Sequence, residues 1–270
     1  MSPVEVRLII VSGGDIASTN QADILLEKYS WDEIKEVEGH DESGKNTLTY
    51  AVVEKPLSIY LNDNHVVTAM TVGDYPDYLA IGYLVNQNII KELEKIEDIE
   101  VVEEINTVVV RTSEKTNFEI SKKKIIKTSG CANGTIFDDI IEEIKEVKIT
   151  SSISLSSVEV FKLYKEINIT PSLYLKSGAI HGCVLCSKNK TLAFFEDVGR
   201  HNAIDKLAGY MFLNNIKPQD KILYTTGRLT SEMVIKTIMM KIPILASRSG
   251  YTAWGVDLAK KSDLTMLGRL

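Results

Sequence analysis

Residues 178–206 decide how this chain is read: Gly178-Ala179-Ile180-His181-Gly182-Cys183-Val184-Leu185-Cys186, then Ser187-Lys188-Asn189-Lys190, then Leu192-Ala193-Phe194-Phe195-Glu196-Asp197-Val198-Gly199-Arg200-His201-Asn202-Ala203-Ile204-Asp205-Lys206. The two apolar runs predict paired strands, the polar tetrapeptide their turn, and the last stretch a helix. Glu196, Asp197, Arg200, His201, Asn202, Asp205 and Lys206 crowd one strand-to-helix junction. That junction is where an α/β protein places a site.

Downstream the pattern alternates. Strands are expected at Ile222–Thr225, Ile242–Ala246 and Leu264–Leu267, and helices at Ser231–Lys241 and Thr252–Lys261. This alternation predicts a mostly parallel sheet with helices packed on it. Upstream, 5–11 reads as a strand and Gly13-Gly14-Asp15 as a turn that lacks the third glycine of a dinucleotide fingerprint. Residues 15–47 are polar and predict an irregular segment. Thr49–Leu61 and Val66–Thr71 flank an Asn62-Asp63-Asn64 hairpin turn. Asp74–Leu84 predicts a helix capped by Asp74 with Pro76 in its first turn. Three β-like runs fill 98–127, a glycine-flanked loop follows at Thr128–Gly134, 137–146 reads as helix, and Ser156 or Ser157 caps a helix to about Lys165. Three parts result: 1–47, a β-rich lobe at 48–150, and an α/β core at 151–270, which could also be one continuous domain.

With 270 residues the chain can bury a large core, and its 44% apolar and 25% charged content is that of a globular protein. A net charge of -6 gives no electrostatic reason to expect nucleic acid or a membrane as partner. No apolar run approaches a transmembrane length, and the N-terminus lacks a signal-peptide pattern. Three cysteines do not make a disulfide framework. The expectation is a cytoplasmic protein with reduced thiols.

Cys131 sits between glycines, downstream of Lys122, Lys123, Lys124 and Lys127, which could favour its thiolate; an inert turn residue is the plainer reading. Cys183 and Cys186, with His181 nearby, suggest zinc. On a strand, however, residues three apart face opposite ways, so no metal is assigned and buried structural thiols are expected. The zinc deaminase signature is also absent. His201 and Asp205 share a helix face, and the density of polar groups around them favours a ligand pocket over an internal ion-pair network. Thr226-Gly227-Arg228 and Ser247-Arg248-Ser249-Gly250 each lie between a strand and a helix N-terminus, where backbone N–H groups suit a phosphate.

Together these segments resemble the FdhD family of formate dehydrogenase accessory sulfurtransferases. The pieces are Glu54–Tyr60, Leu79–Leu84, Gly178–His181, Glu196–Lys206, Thr226-Gly227-Arg228 with Glu232-Met233-Val234, and Leu264–Gly268. The resemblance implies a three-layer α/β/α core similar to the cytidine deaminase-like fold, with a smaller β-rich N-terminal lobe. It implies a sulfur carrier that takes sulfur from a cysteine desulfurase as a persulfide on Cys131. The sulfur passes to the bis-molybdopterin guanine dinucleotide form of the molybdenum cofactor before that enters formate dehydrogenase. It also implies a homodimer. The cofactor-binding set is His181, Asp197, Arg200, His201, Asn202, Thr226, Gly227, Arg228, Ser247, Ser249 and Leu270. Two departures stand out: the loop Gly130-Cys131-Ala132-Asn133-Gly134 lacks the family's second cysteine, and the chain stops where a basic tail commonly continues. The alternatives are a deaminase-like nucleotide hydrolase and a non-catalytic cofactor-binding chaperone.

Overall fold

The computed structural model describes residues 34–41, 43–116, 118–119, 141–142, 144, 146–169, 172–188 and 190–270. The expected strand at 5–11, the Gly13-Gly14-Asp15 turn, the last β-like run towards 127, the Cys131 loop and most of the 137–146 helix lie outside these residues.

The apolar strands of the opening stretch form as the sequence predicts. β7 (His181–Ser187) and β8 (Lys190–Asp197) pair antiparallel, with His181 opposite Asp197. The α4 helix (Arg200–Leu213) follows directly. The later alternation gives β9 (Ile222–Thr225), α5 (Ser231–Met239), β10 (Ile244–Ser247), α6 (Ala253–Lys261) and β11 (Thr265–Leu267). These strands form one sheet in the order β11-β10-β9-β7-β8. β9, β10 and β11 are parallel, while β7 runs against both β8 and β9. The alternating segment thus gives the parallel strands it predicts, β8 runs the same way, and β7 alone is reversed. The two residues between β7 and β8 are too few for a parallel crossover, so one strand must be reversed. The ends of β8, β9, β10 and β11 and the start of β7 consequently share one edge.

Helices cover both faces of this sheet. Cys183, Leu185, Phe195, Leu223 and Leu245 pack with α4, α5 and α6 in one hydrophobic cluster. Val184, Cys186, Ile222, Tyr224 and Ile244 pack on the other face with Leu163 and Ile167 of α2 (Ser157–Ile169). Ser156 and Glu159 start α2 as a reciprocal capping box.

The N-terminal region supplies a second sheet, ordered β4-β3-β6-β5, from β3 (Lys55–Leu61), β4 (Asn64–Thr71), β5 (Ile96–Val102) and β6 (Thr107–Thr112). The β3–β4 hairpin turns where expected. Its inward residues Leu57, Ile59 and Leu61 join the cluster that extends to Leu264, so both sheets share a core. Between them lies α1 (Pro76–Asn86), buried on nearly every side from Leu79 to Leu84. A correction applies to its cap: Tyr75, in the left-handed region at φ 46°, precedes the helix with no side-chain cap, and Asp74 is engaged elsewhere.

Residues expected to be irregular instead hold β1 (Ile34–His40), which pairs with β2 (Asn46–Val52) in a separate two-stranded ribbon. Both strands are mostly exposed, so burial imposes no alternation on the sequence, and the strand carries no readable pattern. Val53 and Glu54 break the expected Thr49–Leu61 run into two strands in different sheets. No helix among the described residues is long and apolar enough to cross a membrane.

Candidate functional site

Two arrangements meet at the shared sheet edge. Behind it lies a buried charge network, and on it a concentration of arginines.

The network absorbs most of the crowded junction. Asp197, at the end of β8, accepts hydrogen bonds from Thr71 Oγ1, from Asn202 Nδ2 at 2.9 Å and from Gly199 N at 3.3 Å. It also pairs with Lys206, whose ammonium contacts Asp74 as well and donates to the Glu196 carbonyl at 3.0 Å. Burial lowers the pKa of Lys206, but Asp197 and Asp74 beside it more than offset this, so it stays raised and the ammonium charged. Asn202 also donates to the Met70 carbonyl at 2.7 Å. One turn on, Lys236 donates to both oxygens of Asp205 at 2.8 and 2.6 Å, and Asn86 donates to Asp205 at 2.7 Å. His201 Nε2 lies 3.1 Å from Glu232 Oε2. The spacing His201/Asp205 on α4 is thus matched by Glu232/Lys236 on α5, two steps of four residues on facing helices.

This corrects the pocket reading of the junction. Glu196, Asp197, His201, Asn202, Asp205 and Lys206 are all buried, and they tie α4 to β8, β4, α1 and α5. Sequence spacing shows such groups sharing a face; it does not show that the partners come from Thr71, Asp74, Asn86, Glu232 and Lys236.

Glu196 has a separate task. Its carboxylate accepts from Leu173 N at 2.7 Å and Tyr174 N at 3.1 Å, at the start of α3 (Leu173–Ser177). Burial pushes its pKa from 4.5 to about 7, against the pull of these two N–H groups. The folded state therefore holds a proton more tightly than the unfolded chain, and this contribution to stability declines as pH rises from about 4.5 to about 7. Glu196→Gln is expected to flatten that decline. Chemical denaturation at pH 5 and pH 7 measures it, and an unchanged pH slope in the variant refutes the assignment.

The arginines occupy the open side. Arg200 opens α4, Arg228 and Arg248 lie in the loops after β9 and β10, and Arg269 follows β11. His181 opens β7 among them. Burial lowers its pKa, and the neighbouring Arg200, His201, Arg248 and Arg228 lower it further. The Arg248 guanidinium lies 4.4 Å from the Tyr174 ring centroid, and that of Arg269 lies 5.8 Å from Tyr251. Arg200 Nε is buried without a hydrogen-bond partner.

The loops are sewn to one another. Ser247 Oγ donates to the Gly227 carbonyl at 2.7 Å and accepts from Ser249 N at 2.9 Å. Thr226 Oγ1 accepts from Gly182 N at 3.0 Å. Leu270 N donates to the Ser247 carbonyl at 3.2 Å, and Arg269 N to that of Ser249 at 3.0 Å. Ser247 and Thr226 thus shape the edge, and the C-terminal residues form part of it. Gly227 is packed against Arg200, 3.1 Å from where a side chain would begin. Tyr174 and Tyr251 went unread in the sequence, because only the fold brings them to the arginines.

A model of the FdhD/NarQ family matches residues 52–270. The chain belongs to the FdhD/NarQ family. Among its relatives, the sulfur carrier protein FdhD of Listeria monocytogenes serotype 4b is 26% identical over 218 residues, covering 80% of this chain and 84% of the relative. That of Bacillus pumilus is 29% identical over 220 residues, covering 80% and 83%. A crystal structure described as that of a formate dehydrogenase accessory protein from Desulfotalea psychrophila aligns with a TM-score of 0.70 and 26% identity. It covers 88% of this chain and 92% of that one.

Two of the three cysteines of this FdhD/NarQ member lie on β7. Cys183 and Cys186 are both fully buried, on opposite faces of the sheet. Burial pushes the Cys183 thiol up to about 12 and raises that of Cys186 further. Facing apart, they do not form a metal pair. Cys131 lies outside the described residues.

Proposed function

We propose that the chain is a sulfur carrier for formate dehydrogenase, with Cys131 as the thiol that carries the sulfur. The observation behind this is the burial of the other two cysteines, whose raised pKa values suppress the thiolate that sulfur transfer needs. With Cys183 and Cys186 sealed in the core, Cys131 is left for chemistry.

The sulfur source is a cysteine desulfurase persulfide. The Cys131 thiolate attacks its outer sulfur, that S–S bond breaks, the desulfurase thiolate leaves, and Cys131 bears the persulfide. The exchange needs one acceptor thiolate and no external oxidant, so the missing second loop cysteine does not block it. The recipient is the bis-molybdopterin guanine dinucleotide cofactor, which is cargo rather than a resident group. Its phosphates suit Arg200, Arg228 and Arg248 and the N-terminus of α4, which has no side-chain cap. The reading includes a cytidine deaminase-like core, a homodimer and a cytoplasmic setting. A deaminase-like hydrolase is disfavoured because Cys183 and Cys186 face apart.

Incubation with a cysteine desulfurase and cysteine, followed by peptide mass analysis, tests this. The expected result is a dithiothreitol-sensitive gain of one sulfur atom on the Cys131 peptide, absent in Cys131→Ala. Sulfur on no cysteine would leave a cofactor-binding chaperone as the better reading. Sulfur on Cys183 or Cys186 would contradict their burial.

A further inference from the structure

Little holds α3 in place, yet it supports part of the arginine edge. Its five residues are too few for a helix to persist alone, so tertiary contacts set its position. Leu173 packs with Val72 and Ile180 in a small cluster. Ser172, at the N-cap, accepts a long bond from Leu175 N at 3.4 Å. The strong anchor is Glu196, fully buried near the end of β8. One of its carboxylate oxygens receives Leu173 N and the other Tyr174 N. The Tyr174 ring in turn lies 4.4 Å from the Arg248 guanidinium, so the place of α3 decides where that cation is held.

Both bonds call for the ionised form. A carboxylate accepts with two oxygens and holds an N–H about twice as strongly as a neutral acceptor does, whereas a carboxylic acid turns one oxygen into a donor. Neutral Glu196 therefore lets one of the two N–H groups go. Burial, the largest influence, raises its pKa to about 7 against these N–H groups. Of the charges that face it, Asp74 from the loop before α1 raises the pKa and Lys206 from α4 lowers it. Asp197, next along β8, is itself paired with Lys206, and β7 presents the uncharged Gly182 opposite.

We propose that Glu196 is a positioning residue for the arginine edge: its carboxylate, acting through α3 and the Tyr174 ring, sets Arg248 to receive an anion, and protonation loosens that hold. This role rests on the sulfur-carrier reading, in which the edge holds phosphates. It has a sign that the cations alone do not give. His181 and His201, whose pKa values burial lowers, can only lose positive charge as pH rises, which weakens anion binding or leaves it unchanged. The negative charge of Glu196 would by itself weaken binding too. Tighter binding at higher pH therefore reports the anchor. By linkage the anion favours ionised Glu196 in return, so binding near pH 7 releases protons.

The probe is pyrenetetrasulfonate, whose sulfonates stay ionised throughout, titrated with the full chain at pH 6 and pH 8 and followed by fluorescence anisotropy. Wild type is expected to bind at least about threefold more tightly at pH 8, the part of an about fivefold coupling that falls between these pH values. Calorimetry at pH 7 in two buffers of different ionisation enthalpy should show proton release. Glu196→Gln, which mimics the neutral acid, should hold the pH 6 affinity at both pH values. Tyr174→Leu keeps the carboxylate and both backbone bonds but lacks the ring, and it should lose the pH gain as well. A merely structural Glu196 would leave that gain in Tyr174→Leu, which overturns the positioning role. Wild type and Tyr174→Leu decide the matter if Glu196→Gln does not fold. Wild-type binding that is equal or weaker at pH 8 overturns the role and leaves the edge an anion site. No binding at either pH overturns both the role and the reading of the edge as a phosphate site, whatever sulfur Cys131 loads.

Discussion

Lys206→Met is expected to destabilise the protein by about 3–5 kcal/mol, the cost of breaking a buried ion pair by removing one partner. Lys206 is fully buried and serves Asp197 and Asp74 together. Asp197 keeps its hydrogen bonds from Thr71, Asn202 and Gly199, but it and Asp74 would face each other without a cation. At about 2–4 °C per kcal/mol for a chain of this size, melting should fall by roughly 6–20 °C. The loss has a definite pH sign. Burial already raises the Asp74 pKa, and Lys206 is what holds that rise back, so without Lys206 it goes further above its unfolded value. Protonation then favours the folded state, and stability falls as pH rises through that window. The deficit relative to wild type should be larger at pH 8 than at pH 5. Thermal melts at the two pH values measure it. A variant melting within 2 °C of wild type at pH 8 would show that the network carries little stability.

Gly82→Ala should cost at least about 3 kcal/mol, at the upper end of overpacking penalties. Local propensity predicts the opposite sign, since alanine is favoured over glycine in a helix interior by about 1 kcal/mol. Packing decides. A Cβ at Gly82 would lie 1.7 Å from the Asp205 carbonyl oxygen and 2.6 Å from Gly209 N. The relation is mutual, because a Cβ at Gly209 would lie 2.0 Å from the Tyr78 carbonyl oxygen. The backbones of α1 and α4 touch at these glycines, and neither is a flexible side chain that can move aside. Separating the helices would pull Asn86 from Asp205 and Asp74 from Lys206. Urea denaturation of Gly82→Ala reads this directly, and a midpoint at or above that of wild type would refute the close approach.

The order of elements from β7 to β11 was legible because each strand is apolar and each helix follows a loop signal. The opposite faces of Cys183 and Cys186 followed from strand periodicity alone, and the structure bears this out. The ribbon of β1 and β2 was not legible: with both faces exposed, nothing forces its residues to alternate. The reversal of β7 was implied by the short turn, but it had to be weighed against the βα alternation that follows. At the site, sequence spacing grouped Glu196 through Lys206 correctly and could not tell a pocket from a network. The difference lies in residues more than a hundred positions away, Thr71, Asp74 and Asn86, and in Glu232 and Lys236 on α5. Sequence by itself determined which residues are chemically able to act and which strand or helix carries them. Tertiary structure alone decided which charges neutralise one another in the core, and which, like Arg200, Arg228, Arg248 and Arg269, find no carboxylate partner among the described residues. The reason is physical: a charge is spent or available according to what the fold brings within a few ångströms of it, and local periodicity does not encode that distance.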